Sequence, residues 1–187
     1  KVTHYRNGDE IQYVQEESVE PDVWENLYTG AYGYYDDDIT NIDIYGIFYN
    51  WYVVDDERGV CPEGWHVASD DEFIELEMFL GMTEEEASED WGNNDRGVNE
   101  GSKLASYCSG HPVIDTCWPE SVLTSDNEFG SSGFNAYPAG HIYSHWLNSP
   151  MEIAAIWTST QADISSAFQR QIYTSFTTIQ RQIMWIK

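Results

Sequence analysis

Three cysteines, five histidines and thirty-three carboxylates are the groups in this 187-residue chain that could do chemistry. Cys108 and Cys117 flank a short loop containing Gly110 and Pro112, a spacing that suits a local disulfide in a secreted protein. His111 lies between them, but two thiols and one imidazole lack the fourth ligand of a structural zinc site, so a disulfide is the favoured reading. Cys61 is then left over. His4, His111, His141 and His145 have no catalytic partner at a recognisable spacing, and His66, beside Trp65, reads as a hydrogen-bonded core residue. Gly-x-Ser-x-Gly, His-Glu-x-x-His and Gly-rich phosphate loops are all absent from the sequence. With so many carboxylates, an Asp/Glu pair at glycosidase-like separation arises by chance and identifies nothing. The chain reads as a non-enzyme.

Calcium needs hard oxygen ligands, and several loops offer them. The clusters are Asp36-Asp37-Asp38, Asp55-Asp56-Glu57, Asn93-Asn94-Asp95 and Asp126-Asn127-Glu128. Asn93, Asp95, Asp126 and Glu128 are the metal candidates, yet none of the clusters follows EF-hand spacing. Runs of acids read more simply as a solvated face that keeps a protein dispersed in salt. Calcium is the one cofactor left open, and no other is implied.

The formal charge of −25 excludes polyanionic partners, so neither nucleic acid nor an anionic membrane surface suits this chain. No apolar run approaches the roughly 18 to 20 residues of a membrane helix. A hydrophobic content of 41% is ample for one ordinary domain, here taken as residues 1–187 with 1–23 as an N-terminal extension or edge strand. The charge is unevenly placed. Residues 131–187 hold only the acids Glu152 and Asp163 against Arg170, Arg181 and Lys187, so the negative excess belongs to the first 130 residues. That low-charge third is either a contact surface or the source of the central strands. As contact candidates it offers Tyr143, His145, Trp146, Gln169, Gln171, Tyr173 and Phe176, aromatics for stacking and amides for adaptable hydrogen bonds. The same residues could equally form sheet interior.

The elements that must position these groups follow from pattern. Tyr45 to Val54, YGIFYNWYVV, is dense in aromatic and β-branched residues and reads as buried core. Ser69-Asp70-Asp71-Glu72 is a capping box that opens a helix, with Phe73, Leu76 and Leu80 at helical spacing and Gly81 as its stop. Thr83-Glu84-Glu85-Glu86 repeats the signature and predicts a second, shorter helix toward Trp91. From Ala154 to Lys187 short alternating runs predict antiparallel strands, with Ile172, Thr174 and Phe176 on one face and Ile179, Arg181 and Ile183 on another. Two helices, many loops and a β-rich end make an α+β fold.

Five segments together resemble a known family. They are YGIFYNWYVV (45–54), GVCPEGWHVASDDEFIEL (59–76), GSKLAS (101–106), GFNAYPAG (133–140) and IWTSTQ (156–161). They are similar to the Fibrobacter succinogenes major paralogous domain, a module of bacterial surface and phage proteins. That family is related to C-type-lectin-like folds and more distantly to formylglycine-generating enzymes. The resemblance implies two helices packed on a small twisted antiparallel sheet under long irregular loops. It implies Trp65, Phe134 and Trp157 as core or loop-anchoring residues, and Gly64, Gly133 and Gly140 at backbone conformations that side chains forbid.

Two departures matter. The family's closing GFSVRC-like strand is replaced by RQIMWIK, so Cys61 lacks the partner the resemblance implies; it is free, or the sheet closes differently. The copper-binding cysteine pair of the formylglycine-generating enzymes has no counterpart, since no cysteine follows Cys117. The expected function is a non-catalytic extracellular recognition or adhesion module on a bacterial surface or phage fibre, binding a cell-surface glycan or protein. The alternative is a structural subunit of a fibre, appendage or virion that self-associates through its low-charge third. A diversity-generating variable protein of the same fold is a third, weaker option, suggested by the Ser/Thr/Gln/Tyr composition of residues 158–182.

Overall fold

The computed structural model describes residues 2–15, 24, 26–89, 96–107, 118–143, 146–148 and 151–186. Strands β1 (Gln12–Tyr13), β2 (Ala31–Gly33) and β3 (Phe48–Tyr49) form a small sheet, with β1 parallel and β3 antiparallel to β2. Single-turn helices α1 (Ile42–Tyr45) and α2 (Trp51–Val54) flank β3. Helices α3 (Asp70–Leu80), α4 (Glu84–Ser88) and α5 (Glu100–Leu104) follow. Then come the paired strands β4 (His141–Tyr143) and β5 (Trp146–Asn148), and an antiparallel sheet of β6 (Ile153–Asp163), β7 (Ser166–Tyr173) and β8 (Ile179–Trp185). The fold is mixed α+β with small sheets, as the pattern predicts.

Both capping boxes form. The Ser69 hydroxyl accepts the Glu72 amide at 3.2 Å while the Glu72 carboxylate accepts the Ser69 amide at 2.7 Å, and Thr83 and Glu86 do the same for α4. Gly81, at φ 134°, closes α3 by donating to Glu77 and Met78 carbonyls. The end of α4 at Ser88 is shorter than the pattern toward Trp91 suggests, and Trp91 lies outside the described residues.

Three expectations need correction. β7 stops at Tyr173, so Thr174 and Phe176 belong to the turn into β8 and share no sheet face with Ile172. Trp65 is 73% exposed and Phe134 is also exposed, so of the two roles expected for them, core or loop-anchoring, the core role fails, while the Phe134 ring edge-on to Phe73 fits the anchoring one. His66 is hydrogen-bonded, to Glu72 at 2.7 Å, but at the surface. Short turns around Gly64 and Gly133, both at positive φ, bring these residues outward. In the 45–54 segment only Trp51 and Val53 are fully buried; the rest is half-buried, for a reason that lies in the cleft described below.

The C-terminal sheet has two unlike faces because its registers place matched residues side by side. Arg170 pairs with Arg181 across β7 and β8, with Ile172 opposite Ile179 on the same face. This face packs on the helices. Ile172, Ile179 and Ala154 join Met82, Leu104, Leu123 and Phe129 in the largest apolar cluster. The two guanidiniums meet carboxylates from α3, where Asp70 and Glu77 stand two turns apart on one side of the helix. Arg170 donates to Glu77 and to Asp70, each at 2.6 Å, and Arg181 donates to Asp70 at 2.6 Å. Arg96 binds Glu77 through both terminal nitrogens and also caps the last turn of α4 through the carbonyls of Glu86 and Ala87. Burial alone would raise the Asp70 carboxyl, but hydrogen bonds and charge from Arg181 and Arg170 outweigh it and hold it below the usual range.

Candidate functional site

The opposite face of the sheet carries no charge. Gln169 and Gln171 of β7 stand opposite Gln182 and Gln180 of β8, and Trp157 and Ala155 of β6 complete the row. This face forms one wall of a cleft of about 860 Å³. The other wall is the 45–54 segment, which explains its partial burial: its aromatics turn toward an open groove. Val60, Cys61 and Pro62 continue that wall, and Tyr137, Ala139 and His141 close one end. Among the described residues no Asp, Glu, Lys or Arg lines the cleft, although the chain carries 33 acids and 8 bases. Its size and lining are those of a small-ligand site.

Most polar atoms of the aromatic wall are already engaged. Tyr49 Oη donates to the Val2 carbonyl at 2.5 Å and accepts the Val2 amide at 3.1 Å. Asn50 ties α2 to β2, accepting the Ala31 amide and donating to the Thr29 carbonyl, both at 2.9 Å. Trp51 donates its indole N–H to the Thr158 carbonyl at 3.1 Å. Tyr45 stacks on Tyr35 with ring centroids 4.5 Å apart. This wall therefore presents ring faces and aliphatic carbons.

Polar handles come from the other sides. Gln169 is only 5% exposed, and its carbonyl oxygen accepts from Gln171 at 2.7 Å; Gln171 in turn accepts from the Tyr173 hydroxyl at 2.6 Å. His141 has a buried Nδ1 without a hydrogen-bond partner, and burial lowers its pKa, which keeps the ring neutral at physiological pH. Cys61 is a free, half-buried thiol.

Of the contact candidates, the structure brings together Gln169, Gln171 and Tyr173 as one hydrogen-bonded row, and only Gln169 reaches the cleft. Phe176 sits edge-on to Tyr173 in the following turn. Tyr143 and Trp146 are backbone partners across β4 and β5, and His145 between them lies outside the described residues. Asn93, Asp95, Cys108 and Cys117 also lie outside the described residues. Asp126 and Glu128 both accept from the Asn99 amide, at 3.2 and 3.0 Å, and Glu128 faces Lys103 at 3.6 Å. Among the described residues no three His, Cys, Asp or Glu side chains gather into a metal-sized cluster. Sequence reasoning missed the cleft's main contributors, Trp157, His141 and the 45–54 aromatics. The signal present was a ten-residue aromatic segment, far richer in ring hydroxyls and indoles than an ordinary core strand.

No helix among the described residues is long and apolar enough to cross a membrane. No curated protein and no solved structure matches the chain. The family model of the Fibrobacter succinogenes major domain, by contrast, matches residues 1–184, nearly the full length, and the chain belongs to that family.

Proposed function

We propose that this chain is a non-catalytic recognition module of C-type-lectin-like architecture, acting outside the cell on a bacterial surface or phage fibre, and that it binds a cell-surface glycan or protein. The observation that carries this reading is the uncharged, aromatic-walled cleft in a chain of charge −25. A groove kept free of charge in so acidic a molecule favours stacking and hydrogen bonding over ion pairing. Its polar atoms are amides and one neutral imidazole rather than a paired acid and base, which suits binding better than turnover. The α3 helix against a three-stranded antiparallel sheet, joined by irregular loops, supports the architecture. Titration of the purified chain with a glycan panel, followed by tryptophan fluorescence, tests the reading. Ligand-dependent quenching that disappears in Trp157→Ala is expected; a complete absence of response across glycans and candidate surface proteins would sink it.

A second reading is a structural subunit that assembles through the low-charge third. Strand β8 forms one edge of its sheet, and Trp185 at its end is 71% exposed, with Ile164 of the β6–β7 turn almost fully exposed. An open edge with exposed apolar side chains favours self-association. Sedimentation across protein concentration, with calcium and then chelator, separates the two. Persistent monomers at high concentration and salt count against assembly.

A further inference from the structure

The row Tyr173–Gln171–Gln169 ends in the cleft, and its chemistry narrows the ligand. A primary amide offers one acceptor oxygen and one NH2 donor group. Gln171 uses both ends inside the protein: its oxygen accepts from Tyr173 and its nitrogen donates to Gln169. Gln169 uses only its oxygen, so its own NH2 group has no partner among the described residues. Gln169 is only 5% exposed as a residue, and its free amide end is the part that faces the cleft and its solvent rather than the protein interior. If the row ran in the opposite sense, with Tyr173 accepting, the carbonyl oxygen of Gln169 would face the cleft in place of the nitrogen. Either way one positioned polar atom faces the cleft, where a ligand group can take the place of water. A hydroxyl is the ligand group that answers both cases, since it donates and accepts.

The surroundings of that atom set the rest. Trp157 lies directly across from Gln169 on β6, and both residues line the cleft. The aromatic wall opposite keeps its hydroxyls and amides engaged elsewhere, as described above. His141 adds a neutral ring whose Nδ1 lacks a partner. Among the described residues no charged side chain lines the cleft to compensate a ligand charge. A flat, uncharged molecule with several hydroxyls satisfies all of these conditions together.

We infer that Gln169 is the polar anchor of the cleft, held in position by Gln171 and Tyr173, and that the cleft takes a ring of a neutral saccharide stacked on Trp157. This rests on the recognition reading above and narrows it to one ligand class. Gln171 and Tyr173 are positioning residues that act through Gln169.

The test is calorimetric titration of the full 187-residue chain with neutral hexasaccharides of glucose, mannose and galactose, and with a hexauronate of the same length. N-phenyl-1-naphthylamine, an uncharged fluorescent dye, serves as an apolar probe of the cleft. At least one neutral hexasaccharide is expected to bind at least about tenfold more tightly than the hexauronate and to displace the dye. Gln169→Leu should weaken that binding about tenfold or more, and Tyr173→Phe about threefold, with melting temperatures close to the parent's. Tyr173→Phe should also shrink the neutral-over-acidic preference, which a merely structural role would not do. Should Gln169→Leu fail to fold, Tyr173→Phe carries the decision alone. Unchanged affinity in both variants overturns the anchor, and equal affinity for the hexauronate overturns the ligand class. Dye entry without displacement by any neutral saccharide also overturns the class while leaving a recognition cleft in place. If neither dye nor saccharide binds, the cleft is overturned as the binding site, while the recognition reading is decided by the panel of glycans and surface proteins.

Discussion

The two faces of the C-terminal sheet are built from the same three strands and do opposite things. On the helix side, Arg170 and Arg181 stand side by side, yet their charges are matched by Asp70 and Glu77 through contacts of 2.6 Å. On the cleft side four glutamines occupy the corresponding pairs, and no charged side chain lines the cleft among the described residues. One face is closed and packed on α3 and α4, its guanidiniums held by carboxylates although Arg170 Nη2 and Arg96 Nε find no partner. The other turns the Gln169 amide and the unpartnered His141 Nδ1 toward an open groove. In so acidic a protein, charge marks the architecture and its absence marks the place for contact.

The sharpest way to break this contrast is to remove one charge from the closed face. Arg170→Met keeps most of the volume but takes one of two guanidinium partners from each of Glu77 and Asp70, which retain Arg96 and Arg181, with Arg170 and Glu77 themselves wholly buried. The expected loss is about 1.5–3 kcal/mol, the scale of a buried hydrogen bond to a charged group. Urea denaturation measures it, and a loss below about 1 kcal/mol would mean that water already reaches the network.

The same network responds to pH without mutation. Asp70 is depressed in the folded protein, so its contribution is complete above the ordinary carboxylate value of about 3.9. It is lost as pH falls through the depressed folded value, because protonation removes the charge that Arg181 and Arg170 require. Stability should therefore fall through the acid limb in the parent, and Asp70→Asn should flatten part of that fall. Parallel melts between neutral pH and pH 3 would show it.

Packing on the closed side allows a smaller test. Gly101 lies inside α5, where alanine is ordinarily better by about 1 kcal/mol. Here a Cβ would run into the Thr178 carbonyl oxygen, which is backbone and cannot swing aside. The Ser102 amide bonds the neighbouring Thr177 carbonyl at 2.9 Å, which fixes that approach. Crowding wins over propensity, and Gly101→Ala should cost about 1–3 kcal/mol. A stabilised variant would show that the turn before β8 can move away from α5.

How much of this was legible follows the range of the interactions. Ser69 and Glu72 are three residues apart, so the cap and helix α3 could be read directly. The alternation of Ile179, Arg181 and Ile183 likewise belongs to one strand. Arg170 meets Asp70 across 100 residues, and no local pattern announces that pairing. The aromatic segment 45–54 was visible as an apolar run, but whether such a run is core or the wall of a groove depends on what stands opposite. Gln169 and Gln171 could be named as contacts or as interior; the structure makes Gln171 interior and gives Gln169 one side on the cleft.

The smallest expected effect sharpens the comparison most cleanly. Charges at the acidic surface are screened when salt rises, so the parent's melting temperature should climb modestly between 0.05 and 0.5 M sodium chloride, in which range the screening length falls to a few ångströms. The buried pairs of Arg170 are reached little by added ions, and the deficit of Arg170→Met should stay nearly constant over that range. At the cleft there is no lining charge to screen among the described residues. Affinity for a neutral saccharide should therefore change by less than about twofold across the same series, whereas a charged ligand's affinity would move with the acidic surface. A steep salt dependence would place the contacts on the charged part of the molecule and dissolve the division between its two faces.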